Sequence, residues 1–304
     1  MIPFTLRQLE AFVAVMETRS VSLAARRLQL TAGAVSLAIS ELEDAMEVQL
    51  FVRRRGKGAE PTPAGAAALE GARTALSEAR SLADLSRTLR GELAGELRIG
   101  CFATLSPWLL PPILDHFASE HPGVDVEFVE ETTDVLTERL RAGQLDAALM
   151  YANHLAGGIV GNEIVSARLQ VALAPGHRLA ARDEVPLSEL DGEPAILLDI
   201  EPSLSHVEEI VRRAGHVPWV RWRSRNPETI RAMVAYGLGY TIIMGRPYGD
   251  RSIEGLPLVY RRIADPIPAN SVVLAVPKGM RPHARLTARL RFCERHFAGE
   301  DVLG

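Results

Sequence analysis

Four places in the sequence set small, hydroxyl, amide or carboxylate residues where a β-prone run gives way to a helix-like pattern. They are Ala103, Thr104 and Ser106; Thr132 and Thr133; Asp199, Ser203 and Ser205; and Asn226, just before Pro227. Where a strand ends and a helix begins in an α/β sheet, free amides and the positive end of the helix dipole face the crevice. Small ligands, anions especially, bind there. Each hydroxyl is equally suited to capping its helix or closing a turn, so both roles stay open. A second group has different chemistry. Arg53, Arg54, Arg55 and Lys57 lie between Val48 and Ala59 with no acid among them, a local attraction for phosphate in a chain whose formal charge is −4.

Catalytic patterns are missing from the sequence. It has no Gly-Xaa-Ser-Xaa-Gly elbow, no phosphate loop of the Walker type and no dinucleotide fingerprint, and Gly237-Leu238-Gly239 follows a helix rather than joining strand to helix. The eight histidines include no pair four apart on one helix with a carboxylate nearby, so neither a metal nor a cofactor is expected. Cys101 and Cys293 lie far apart, which suits buried apolar roles in a reducing compartment better than a disulfide. MIPFTLRQLE lacks a basic segment leading into an apolar run, and no long apolar segment occurs, so a cytoplasmic protein without a membrane partner is expected.

The elements that would position these groups follow from periodicity. Leu6, Leu9, Phe12, Val13 and Met16 share one helical face between Thr5 and Thr18. From Ser20 to Glu43 the apolar positions Ala24, Ala25, Leu28 and then Val35, Ile39, Leu42 predict two short helices, with Ser20 and Thr31 as N-caps: a helix-turn-helix. Leu50–Val52 and a second extended piece ending at Pro61 predict a hairpin whose tip carries the cations, a wing along phosphates. Thr62 should cap a helix from Pro63 to about Leu89. Leu69, Leu76 and Ala83, with Ala72, Ala79 and Ser86 three further on, form a narrow stripe that predicts a partner helix and hence a dimer.

Beyond a hinge at 91–95 the pattern alternates. Strands are expected at 96–101, 124–129 and 147–151, with helices between them, the first capped by Ser106. The rhythm restarts after a crossing near 164–175, with strands at 195–198, 220–223 and 240–244. A strand at 271–276 and a helix at 282–297 should rejoin the first lobe. Such alternation predicts parallel sheets and two lobes with a cleft between them. At 304 residues with 47% apolar content, the chain has material for several cores.

Taken together, LRQLEAFVAVMETRSVSLAARRLQLTAGAVSLAISELEDAMEVQLFVRR, PTPAG, LRIG with SPWLLPPILDHFASEHPGVDVEF, LDAALMY, ALAPGHRLA and NPETIRAMVAYGLGYTIIMG resemble a LysR-type transcriptional regulator over essentially the whole chain. The resemblance implies an α/β protein with an all-α-rich N-terminal domain. A winged helix-turn-helix would occupy 1–60 and a dimerising linker helix 61–90. A two-lobed effector domain like periplasmic solute-binding proteins would fill 91–304, lobe one at about 91–163 and 268–304, lobe two at about 164–267. It implies sequence-specific binding to a double-stranded DNA operator, a homodimer or homotetramer, a small-molecule effector and contact with RNA polymerase. The DNA-facing positions fall on Thr31, Ala32, Gly33, Ser36 and Leu37, with Arg53 in the wing, beside the cap residue Ser20. Here the chain departs from the family, which often carries glutamine-proline at Ala32-Gly33 and arginine-glutamine at Leu37-Ala38. None of these four side chains can bond a base edge in bidentate fashion, so more of the recognition falls on the wing and on DNA shape. Small carboxylates suit the cleft, yet Asp199 would repel an anion, which leaves a neutral or amine-bearing effector open. The rival reading is a cytoplasmic small-molecule-binding protein or enzyme with a vestigial DNA-binding domain.

Overall fold

The structure, a computed structural model, describes residues 2–53, 59–88, 93–244, 249–280 and 284–297. Two compact units emerge, one built on Met1–Gly95 and the other on Glu96–Leu140 with Leu145–Gly304.

The first unit opens with α1 (Leu6–Thr18), α2 (Val21–Arg27) and α3 (Ala32–Met46). Each begins at the residue whose side chain can accept an amide proton. Thr5 forms a reciprocal capping box with Gln8, Ser20 accepts from the Leu23 amide, and Thr31 accepts from the Ala34 amide. The apolar faces converge on Phe12, Val15, Ala24, Val35 and Leu42, all buried. Burial of each larger side chain contributes about 1.5–3 kcal/mol. Strands β1 (Phe51–Arg53) and β2 (Ala59–Pro61) pair antiparallel, and Phe51 packs edge-on against Phe12 with ring centres 5.7 Å apart. Glu43 fixes the hairpin to α3, its Oε1 accepting from the Leu50 amide at 2.7 Å and the Phe51 amide at 3.0 Å.

Helix α4 (Pro63–Thr88) starts where Thr62 accepts from the Gly65 amide. Gly65 is required there, because a Cβ would lie 2.2 Å from the Leu50 carbonyl oxygen. The narrow stripe on this helix has a different partner from the expected one over its first half. Ala72 and Leu76 are buried in the core of their own unit, with Leu69 packed beside them, because α1 lies against this stretch of α4. Further along, Leu82 and Ala83 are exposed.

The second unit contains β3 (Gly95–Phe102), α5 (Ser106–Glu120), β4 (Val124–Glu131), α6 (Thr133–Arg141), β5 (Ala147–Tyr151) and β6 (Ile159–Ala167). It continues with β7 (Leu169–Leu173), β8 (Glu184–Val185), β9 (Pro194–Leu198), α7 (Ser203–Arg213), β10 (Trp219–Ser224) and α8 (Pro227–Ala235). Its last elements are β11 (Thr241–Met244), β12 (Val259–Ile263), β13 (Asn270–Pro277) and α9 (Ala284–His296). Lobe one is a five-stranded sheet of order β4-β3-β5-β13-β6. Lobe two holds a four-stranded sheet, β11-β7-β12-β8, and a parallel pair, β10-β9, joined to it through a bridge from Ala195 to Tyr240.

Alternation correctly predicts two α/β lobes and the return of β13, but not wholly parallel sheets. β3 and β5 are parallel, whereas β13 runs antiparallel to both β5 and β6, and β7 is antiparallel to β11 and β12. The returning strand β13 enters lobe one's sheet from the opposite end and so opposes β5 and β6, while β6 and β7, joined without a helix, belong to different sheets. The expected crossing near 164–175 is therefore a pair of strands hinged at Arg168, and lobe one's sheet extends to Ala167. No helix among the described residues is long and apolar enough to cross a membrane.

Candidate DNA-contact surface and effector cleft

In the first unit the α3 face turned away from the core carries Thr31, Ala32, Gly33 and Leu37 in solvent, with Ser36 half-buried. Ala38 belongs instead to the side packed on the core. A Cβ at Gly33 would meet nothing closer than Thr31 Oγ1 at 3.9 Å, so this glycine leaves open room rather than serving a close backbone approach. Neither α2 nor α3 has an acid in its first turn, and Arg26 and Arg27 stand in the last turn of α2. Ser20, expected as a cap and a contact, does cap α2. Arg53 ends β1, while Arg54, Arg55 and Lys57 lie outside the described residues.

An acid near this surface is already answered. Arg73 donates to Glu17 at 2.9 Å, and Arg27 also pairs with it. Burial works against the Glu17 carboxylate, but the hydrogen bonds from Arg73 and Arg27 outweigh it and hold its carboxyl below the usual range. Sequence reading missed both Glu17 and Glu43, since a carboxylate on a helix reads as solvated until the fold supplies its donors.

In the second unit both lobes line one cleft, about 770 Å³ of empty space that is partly open to solvent. Thr104, Trp108 and Tyr151 face it from lobe one; Leu197, Leu204, Ile230, Ile242 and Met244 are among the residues facing it from lobe two, with Ser203 and Arg231. The Tyr151 hydroxyl bridges the lobes by donating to the Met244 carbonyl at 3.0 Å. Of the residues expected as effector contacts, Thr104 and Ser203 line the cleft. Ala103 and Asp199 are exposed outside its lining.

The remaining candidates are engaged within the chain. Ser106 is not the cap of α5: Leu105 holds that position, and the buried Ser106 hydroxyl hydrogen-bonds with the Ala103 carbonyl at 3.0 Å and with the Glu130 carboxylate. Thr132 donates to Asp134, which together with nearby backbone amides keeps that carboxyl below its ordinary value despite a small opposing effect of burial. Thr133 is buried, with its hydroxyl 3.1 Å from His154 Nδ1. Ser205 gives its hydroxyl to Glu201 Oε1 at 2.8 Å and its amide to Oε2 at 3.4 Å. Asn226 caps α8 by accepting from the Glu228 and Thr229 amides.

Arg231 is the charged side chain of the cleft lining that sequence reading missed. It is 1% exposed, donates to Glu228 Oε1 at 2.9 Å and to the Gly249 carbonyl at 2.9 Å, and also bonds the Arg251 carbonyl. Its position beside Ile230 and one turn before Val234, both buried, is the sequence signal: a cation on the apolar face of an amphipathic helix. Burial pushes the imidazolium of His154 down to about 3, with nearby His206 adding to the effect, their ring centres 5.3 Å apart. Burial likewise pushes the Cys101 and Cys293 thiols up, and the Arg289 guanidinium only partly offsets it.

A helix-turn-helix with a short hairpin in one unit, and two α/β lobes sharing a cleft in the other, define a DNA-binding regulator with a ligand-binding half. The chain belongs to the LysR family of bacterial regulators: residues 6–66 match the bacterial regulatory helix-turn-helix protein, lysR family, and 90–298 match the LysR substrate binding domain. It is 29% identical over 290 residues to the HTH-type transcriptional regulator YvbU of Bacillus subtilis, covering 94% of this chain and 96% of that one. A probable hydrogen peroxide-inducible genes activator of Mycobacterium avium is 32% identical, over 79% of this chain and 77% of the relative. Among solved structures, HinK, a LysR family transcriptional regulator from Pseudomonas aeruginosa, aligns with a TM-score of 0.62 and 30% identity, covering 97% of this chain and 99% of that one.

Proposed function

We propose that the first unit grips duplex DNA through α3 and the β1–β2 wing, and that a small molecule filling the cleft of the second unit switches that grip. The observation that carries this reading is the composition of the cleft wall, which both lobes share. A molecule touching both lobes favours one relative position of the two, and only such differential affinity shifts an equilibrium. The regulator works as a homodimer or homotetramer on cytoplasmic DNA, changes contact with RNA polymerase and catalyses no reaction. Thr31, Ala32, Gly33, Ser36 and Leu37 face the DNA, Arg53, Arg54, Arg55 and Lys57 its phosphates, and Thr104 and Ser203 the effector.

The signal is not a peroxide read by a thiol, although the Mycobacterium avium relative is named for peroxide induction. The reactive species in such chemistry is the thiolate, and both cysteines are fully buried with their thiols pushed toward the protonated form.

The test is selection of genomic fragments by the full chain, followed by titration with salt. Arg53→Ala should weaken binding to every selected fragment and lower the salt slope by about one. Val207→Trp, which fills the cleft, should keep DNA binding but abolish its response to a metabolite extract. Random fragment recovery, or a response undiminished in Val207→Trp, would contradict the reading.

A further inference from the structure

Helices α5, α6, α7 and α8 of the effector unit, which follow strands, each begin beside an acceptor from their own chain. Glu130 holds the Ser106 hydroxyl at α5, Asp134 holds Thr132 at α6, Glu201 holds both donors of Ser205 at α7, and Asn226 holds two amides of α8. These carboxylates place negative charge at the starts of α5, α6 and α7, although none of the three lines the cleft itself. The cation in the wall, Arg231, is answered by Glu228 and by two carbonyls. Its guanidinium therefore does not offer an ion-pair position, yet its positive charge discourages an ammonium. The rest of the wall is largely apolar, with Trp108, Leu197, Leu204, Ile230 and Ile242 among its residues, and hydroxyls at Thr104, Ser203 and Thr241.

We infer that the effector is an uncharged, mainly apolar molecule carrying one or two hydrogen-bonding groups. The inference rests on the cleft being the effector site. A charged group entering this wall would lose its hydration without gaining a counter-ion, so it binds more weakly than a neutral group of the same shape. A neutral ligand gains from apolar burial and sacrifices little, the usual balance in a cleft with few polar groups.

Two fluorescent probes that share one skeleton distinguish the cases in the full chain near neutral pH: N-phenyl-1-naphthylamine, uncharged, and 8-anilinonaphthalene-1-sulfonate, the same skeleton carrying an anionic sulfonate. The neutral probe should bind saturably and at least about tenfold more tightly than the sulfonate. Val207→Trp should abolish its binding. Equal or tighter binding of the sulfonate, lost in Val207→Trp, overturns the inference while the cleft stands as the site. Failure of the neutral probe to bind overturns it too, and leaves the DNA-response test to judge the regulator reading. Neutral-probe binding that survives Val207→Trp overturns both the inference and the assignment of the cleft.

Discussion

Helices α2 and α3 open at the neutral hydroxyls of Ser20 and Thr31 and carry no acid in their first turns. Across the effector unit, α5, α6 and α7 open beside Glu130, Asp134 and Glu201, and α8 has Glu228 in its first turn behind Asn226. A helix N-terminus carries about half a positive charge in either place. Where no carboxylate answers it, the positive end remains available to an external anion, and the phosphates of DNA are such an anion. Where a carboxylate sits at the helix start, its negative charge offsets that positive end. The contrast teaches that a helix start at a strand end, taken alone, is poor evidence for anion binding: the neighbouring acid decides.

Three perturbations separate the two units, in order of expected size. The largest effect should come from Leu42→Ala, at a fully buried position in the first unit's core. It should cost about 2–5 kcal/mol and abolish DNA binding. Trp108, Trp219 and Trp222 all belong to the second unit, so tryptophan fluorescence during urea unfolding should still report that unit at its wild-type midpoint. A shifted fluorescence midpoint would show that the two units do not respond separately.

Next comes acid sensitivity in the effector unit. His154 has a folded value near 3 against an unfolded value of about 6.5, so its contribution is complete above about pH 6.5 and is lost as the pH falls toward 3. The loss should approach about 1.4 kcal/mol per pH unit inside that window. His154→Phe should flatten it, as read from tryptophan fluorescence melts; an unchanged slope would remove His154 from the account.

The smallest effect belongs to Glu17 in the first unit. Its folded value lies below the unfolded one, so its contribution is present above about pH 4.3 and disappears as the pH falls through the folded value. One partner, Arg27, is largely exposed, which limits the effect to about 1 kcal/mol. Glu17→Gln should remove this acid step from circular dichroism melts of the first unit and leave the effector unit's step intact.

The sequence displays local signals well. Ser20 and Thr31 are legible as caps because the capping oxygen and the apolar spacing that follows lie within a few residues. The hairpin is legible for a similar reason, and β13 is legible as a strand from its own apolar run, although its partners lie far off in the chain. What stays hidden depends on partners distant in sequence. The coverage of Ala72 and Leu76 by α1 cannot be told from a dimer seam by heptad spacing, since both need the same stripe. Arg231 resembles any helical cation until Glu228 and the carbonyls of Gly249 and Arg251 are placed around it. Ser106 looks like a cap because it precedes a helix, but Leu105 takes that position and Glu130, twenty-four residues away, takes the hydroxyl.

The central contrast is tested most directly at Thr31, by measuring the affinity of the full chain for a short duplex as a function of salt, in wild type and Thr31→Asp. Aspartate caps a helix about as well as threonine, so stability should stay within about 0.5 kcal/mol. The new carboxylate should weaken DNA binding roughly tenfold at low salt, about 1.4 kcal/mol, with the gap narrowing as salt rises. Wild-type affinity in Thr31→Asp at low salt, with the fold intact, would contradict the contrast.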